Sequence, residues 1–195
     1  MRKIGIATLA LLSLAVLVSL AGSAIAQGTP TAEHVPANLA PPAASVLLFE
    51  LDARGVQIYT CEAKPDDASV FVWTFKAPEA DLLNRRGEVA AHHFAGPTWQ
   101  GFDGSAVVGT VLEYADSPDP GSIPWLLLKA KEHAGSGAFS TITYVQRLAT
   151  VGGAAPSEGC DKDHAGDEVR QPYEATYAFY YPSAPATPSA ATPAA

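Results

Sequence analysis

The sequence predicts an all-β fold, a single-domain sandwich or barrel of about seven to nine mostly antiparallel strands with one short helical turn. Three observations predict it. Short runs rich in Val, Ile, Leu, Phe, Tyr and Thr recur between turn-forming residues, helical periodicity is nearly absent, and no strand–helix–strand alternation occurs.

The elements follow in order. "SVLLFEL" (45–51) and "VQIYTCE" (56–62) flank Asp52-Ala53-Arg54-Gly55, which reads as a hairpin loop with Gly55 at a position of positive φ. On the second of these strands Gln57, Tyr59 and Cys61 share one face, and in "VFVWTF" (70–75) Phe71, Trp73 and Phe75 do the same. The stretch from Ala77 to Leu83, with Pro78 early, reads as the single helical turn, because proline's missing N–H costs nothing there. Further strands are predicted at "EVAAHHF" (88–94), "SAVVGTVLEYA" (105–115), "PWLLLKAK" (124–131), "FSTITYVQRLAT" (139–150) and "YEATYAFYY" (173–181). In the last, Tyr173, Ala175, Tyr177, Phe179 and Tyr181 share a face, and a face this aromatic is expected inside.

The ends of the chain have a different composition. Arg2 and Lys3 precede an uncharged run from Ile4 to Ala26 that closes on Ala24-Ile25-Ala26, the layout of a signal peptide (1–26) cleaved after Ala26. Residues 27–44 and 182–195 are dominated by Pro, Ala, Thr and Ser and are expected to be a flexible N-terminal segment and a disordered tail, leaving 45–181 as the β domain. Secreted or periplasmic placement follows, with no stable membrane insertion once the leader is gone. In an oxidising compartment the only two cysteines, Cys61 and Cys160, are expected to form a disulfide. With no third cysteine and no CxxC spacing, a redox or zinc site is the weaker reading. Without Arg2 and Lys3, ten basic residues face twenty acidic ones and form no basic patch, which argues against nucleic acid as a partner.

The stretch "HHFAGPTWQGFDGS" (92–105) concentrates the residues with chemical potential. On a strand His92 and His93 face opposite sides, so they cannot share a metal. His93 and Asp103 are weak catalytic candidates, a histidine and a carboxylate for acid–base work. The plainer reading has His93 hydrogen-bonded to the Gly96-Pro97 turn and Asp103 folded back on its own turn. Trp99 and Trp125, with Asp103, are the ligand-binding candidates: aromatic rings on loops above a β scaffold suit flat ligands or sugar rings, with core packing as the alternative.

Other motifs fail on their own requirements. "DKDHAGDE" (161–168) places Asp161, Asp163 and Gly166 as a calcium loop would, but Ala165 and Pro172 stand where ligands are needed, so no metal is assigned. No GxSxG elbow occurs. "GSGAFS" (135–140) has Ser140 in place of a third glycine and precedes a strand, so no dinucleotide cofactor is expected.

"GVQIYTC" (55–61), "HFAGPTW" (93–99), "DGS" (103–105), "IPWLLLKA" (123–130), "TYVQRLATVGGAAPSEGC" (143–160) and "YEATYAFYY" (173–181) together resemble the domain-of-unknown-function family 3455, found in secreted bacterial and fungal proteins. The resemblance implies a secreted β-rich domain with Cys61 and Cys160 at paired positions, and no activity. Some fungal relatives carry a malate dehydrogenase label, for which this chain offers no dinucleotide loop. Three readings of function stand: a non-enzymatic module for an unknown small molecule or polysaccharide, a hydrolase or lyase using His93 with a carboxylate, and a structural envelope protein.

Overall fold

The computed structural model describes residues 35–183, so the stretch expected to be a signal peptide, the segment up to residue 34 and the tail from residue 184 lie outside the described residues. Eight strands follow one another in chain order and close into one antiparallel barrel: β1 (Ser45–Lys64), β2 (Asp67–Leu83), β3 (Val89–Phe94), β4 (Thr98–Gly101), β5 (Ala106–Ala115), β6 (Trp125–Ala134), β7 (Tyr144–Gly152) and β8 (Glu168–Pro182). The first and last strands form the closing seam, in register from Ser45↔Pro182 to Thr60↔Glu168. Closure joins the outermost strands, while the stretch of β2 before Ala80 pairs with β1 alone. Every connection that leaves an odd-numbered strand lies at one end of such a barrel and every other connection at the opposite end.

Three local expectations are corrected. Residues 52–55 form no hairpin: β1 runs through them, and Gly55 pairs with Ala80 on one side and Tyr173 on the other. Gly55 is there for close approach, since a Cβ would lie 2.1 Å from the Glu79 carbonyl oxygen and 2.5 Å from the Ala80 Cβ. Residues 77–83 form no helical turn: they end β2, and the register shift between Ile58 and Tyr59 leaves Lys76 without a partner just before Pro78. A bulge is where a strand tolerates proline. Among the described residues the single-turn helices are 3-10 turns instead, at Ala37–Leu39 and Lys162–His164. A further strand, β4, forms in the stretch read as a loop.

The inside of the barrel is the main core. Tyr173, Ala175, Tyr177 and Phe179 of β8 all point into it, as their alternation predicts, and meet Leu51, Leu82, Val107 and Val145 from other strands. A second cluster lies on the outer face of β6 and β7, where Trp125, Leu127 and Leu148 are covered by Leu39. The chain before β1, read as a flexible segment, is therefore docked from Val35 onward: Gln146 donates to the Leu39 carbonyl at 2.6 Å, and Asn38 donates to that of Tyr114 at 3.0 Å. Sheet faces of this kind bury apolar surface on both sides, which blurs the alternation that a one-sided strand shows.

Cys61 and Cys160 are bridged, with their Cα atoms 5.4 Å apart. The bridge holds the β7–β8 connection against β1. The same connection is fixed by Trp73 Nε1, which donates to the Glu158 carbonyl at 2.9 Å, and by Tyr59, whose hydroxyl donates to that of Gly153 at 2.7 Å.

Candidate functional site

The β3–β4 hairpin sets His93 directly opposite Trp99, both pointing inward. The two rings stack with centroids 4.7 Å apart and planes within 6°. Tyr177 meets both edge-on, at 5.1 Å from His93 and 5.5 Å from Trp99. Gly109 makes room for the indole, since a Cβ there would stand 3.0 Å from Trp99 Cζ3.

Above this aromatic floor the barrel is not filled. A cavity of about 360 Å³ opens between the β3–β4 turn at Gly96-Pro97, the start of β6 at Pro124, and the bulged part of β2 at Phe75. Eight strands enclose a space just wide enough for side chains or for one small ligand, and this volume lies within the range of small-molecule sites. The walls are mostly apolar, among them Val111, Leu126 and Leu128. Polar groups converge at one corner: Gln57 from β1, Arg147 from β7 and Tyr177 from β8 all line the cavity.

Arg147 is half-buried and held by its Nε, which donates to the Pro124 carbonyl at 3.0 Å. Its charge favours the ionised forms of Tyr59, Tyr173 and Tyr177, although burial dominates and raises the pKa of all three phenols above the ordinary value. Gln57 is 1% exposed, and its Nε2 has no hydrogen-bond partner. It lies near enough to the Tyr173 hydroxyl to influence that group without making a bond of proper geometry.

The sequence-predicted residues fall in different places. His93 is buried, and its Nδ1 bonds the Thr98 carbonyl at 2.8 Å across the turn, so Nδ1 carries the proton. His92 is on the outer face, 2.9 Å from Asp81. Asp103 lies in the β4–β5 turn, at the other end of the barrel from the β3–β4 turn. Its carboxylate accepts from the Ser105 amide and hydroxyl at 2.9 and 2.6 Å and from the Ala138 amide at 2.8 Å, and the Ser105 hydroxyl above all holds its pKa below the usual carboxylate value. Trp99 lines the cavity from inside the barrel, whereas Trp125 is packed on the outside under Leu39, so the two indoles share no cleft. Asp161 caps its 3-10 turn by accepting from the Asp163 and His164 amides and pairs with the His164 ring. Among the described residues no three His, Cys, Asp or Glu side chains gather as a metal site.

Arg147 was not legible as a site residue, because both faces of β7 mix apolar and polar side chains, so alternation alone does not say which face turns inward. Only the knowledge that Val145 faces inward puts Arg147, two residues on, inside as well.

Burial depresses the His93 pKa from 6.5 to about 3, against the upward pull of the Thr98 carbonyl. The unfolded chain therefore binds a proton near pH 6.5 that the folded one refuses until about pH 3. Stability is full above the higher value and falls as pH drops below it, by about 2 kcal/mol between roughly pH 7 and pH 5. Urea unfolding at these two pH values should show that loss in the wild type and a smaller one in His93→Gln. An equal loss in both would place the acid sensitivity elsewhere.

A family described as a protein of unknown function (DUF3455) matches residues 42–181, which is the barrel almost from end to end. No curated protein and no solved structure matches the chain.

Proposed function

Since the chain belongs to the DUF3455 family, whose description assigns no activity, the site itself has to carry the reading, and we propose that the domain is a small-molecule-binding barrel. The observation behind it is the cavity at the barrel mouth, with apolar walls and one polar corner. A pocket of this composition buries most of a small ligand and orients it through a few fixed polar groups.

Binding is favoured over hydrolysis by what surrounds His93. A general base works best with a pKa near the operating pH, and this imidazole is held near 3 with its Nδ1 committed to a backbone carbonyl. Among the described residues no carboxylate lines the cavity. A small molecule is favoured over a surface polymer because Trp99 and Trp125 are 1% and 5% exposed, which leaves neither as an open stacking platform. We also propose that the domain works outside the cytoplasm, in keeping with its disulfide. No helix among the described residues is long and apolar enough to cross a membrane.

The test is saturable binding of a neutral, environment-sensitive naphthalene fluorophore to the oxidised chain, with and without Val111→Trp, which fills the cavity from its exposed rim. One site per chain is expected, weakened at least about tenfold by the indole, the order of effect when several apolar contacts are lost. Absent saturation, or an unchanged affinity in the variant, would sink the reading.

A further inference from the structure

We infer that the ligand of the barrel mouth is an anion, a largely apolar and most simply aromatic carboxylate whose charged end sits against Arg147. This rests on the small-molecule reading and adds the chemistry of the ligand to it.

The ion pairing of the described arginines carries the argument. Arg54, Arg85, Arg86 and Arg170 each face a carboxylate, respectively Glu174, Glu50, Glu88 and Glu79. Arg147 is the arginine directed into the barrel, and it has no carboxylate partner among the described residues. Lys76, the other cation of the lining, is already paired with Glu168. A half-buried guanidinium beside apolar walls is costly unless an anion joins it, so the missing counter-charge defines the ligand. Guanidinium and carboxylate fit each other in a two-bond fork, which adds orientation to charge.

The groups next to Arg147 point to the same ligand. Gln57 Nε2 is a donor, buried and without a partner. The Tyr173 and Tyr177 hydroxyls are 3.5 Å apart, so at most one of their two hydrogens is used between them and the other is free to donate. The corner thus offers several hydrogen-bond donors beside a cation and, among the described residues, no negative charge, a setting that fits an oxygen-rich anion. The rest of the ligand meets rings, with Trp99, Tyr59 and Phe75 in the wall, and Tyr59 edge-on to Phe75 at 5.8 Å. Such walls take a flat apolar body.

The probes are 2-naphthoate and its methyl ester, titrated calorimetrically into the oxidised chain and into Arg147→Gln, with the neutral fluorophore as a third ligand in both. The acid is expected to bind about ten- to a hundredfold more tightly than the ester in the wild type, as a charge-assisted pair would require. In Arg147→Gln that preference should vanish while the fluorophore still binds, which shows that the variant is folded with its cavity open. Equal binding of acid and ester to the wild type, or a preference that survives in Arg147→Gln, overturns the inference and leaves the cavity reading standing. If the fluorophore also fails on the wild type, both fall together. Should Arg147→Gln not fold, the acid-to-ester ratio of the wild type decides by itself.

Discussion

Replacing both Cys61 and Cys160 by serine is expected to lower the unfolding free energy by about 4 kcal/mol. The bridged residues are 99 apart in sequence. For a loop of that length the loss of denatured-state entropy is worth roughly 4 to 5 kcal/mol, with some of it returned as native strain. The connection from Gly153 to Asp167 is also the longest between described strands, and beside the bridge it is held by the Tyr59 and Trp73 bonds and by two backbone bonds to Cys61. Cys61 accepts from Gly166 and donates to Asp167 along the backbone, both at 2.9 Å, and these contacts extend the β1–β8 seam. Without the bridge the seam is expected to open first at this end, loosening Tyr59 from the Gly153 carbonyl and the wall that Tyr59 provides. Urea unfolding of the wild type and the double serine variant should show the lower midpoint, together with a steeper dependence on urea as the uncrosslinked unfolded chain expands. A difference under about 1 kcal/mol would show that the barrel does not depend on the link. The intact mass of the exported product is a companion measurement: it should fit a chain that begins at Gln27 and lacks the two thiol hydrogens. A product with free thiols would place the domain in a reducing compartment.

The fold was legible where one face of a strand is dry and the other wet. In β8, Tyr173, Ala175, Tyr177 and Phe179 alternate with Glu174 and Thr176, and the barrel interior takes the aromatic set as the pattern demands. It was illegible where a local signal competed with a long-range one. Asp52-Ala53-Arg54-Gly55 has the composition of a turn, but the pairing of β1 with both β2 and β8 overrides it, and the glycine is explained by a neighbouring strand that no local window contains. Pro78 suggested a helix start because the bulge beside it depends on the register of two strands. "TWQG" is too short for any period to emerge. The site was legible only in part. His93 and Trp99 are drawn together by the hairpin, as their spacing around Gly96-Pro97 allows, whereas Gln57, Arg147 and Tyr177 meet only because the sheet closes on itself.

Trp99→Ala is expected to destabilise the barrel by about 3 to 5 kcal/mol, the usual cost of removing a buried indole. The ring is 1% exposed and touches three other rings, stacked on His93 and edge-on to Tyr177 and to Phe179 at 6.0 Å. Its absence would merge its own volume with the cavity above it, and the surrounding β-strands are too constrained by their pairing to collapse into the gap. Trp99 also carries a handicap that a smaller ring lacks, for its Nε1 is buried without a hydrogen-bond partner. Trp99→Phe should therefore cost clearly less, about 1 to 2 kcal/mol, because the lost contacts are partly offset by removal of an unsatisfied donor. The comparison of the two variants by urea unfolding separates packing from polarity. If phenylalanine proved as damaging as alanine, the indole nitrogen would have to be making a favourable bond, and the polar corner of the cavity would extend down to Trp99. That outcome would move the acceptor end of the ligand toward the barrel floor and shift the choice of probes to molecules with a second oxygen at depth.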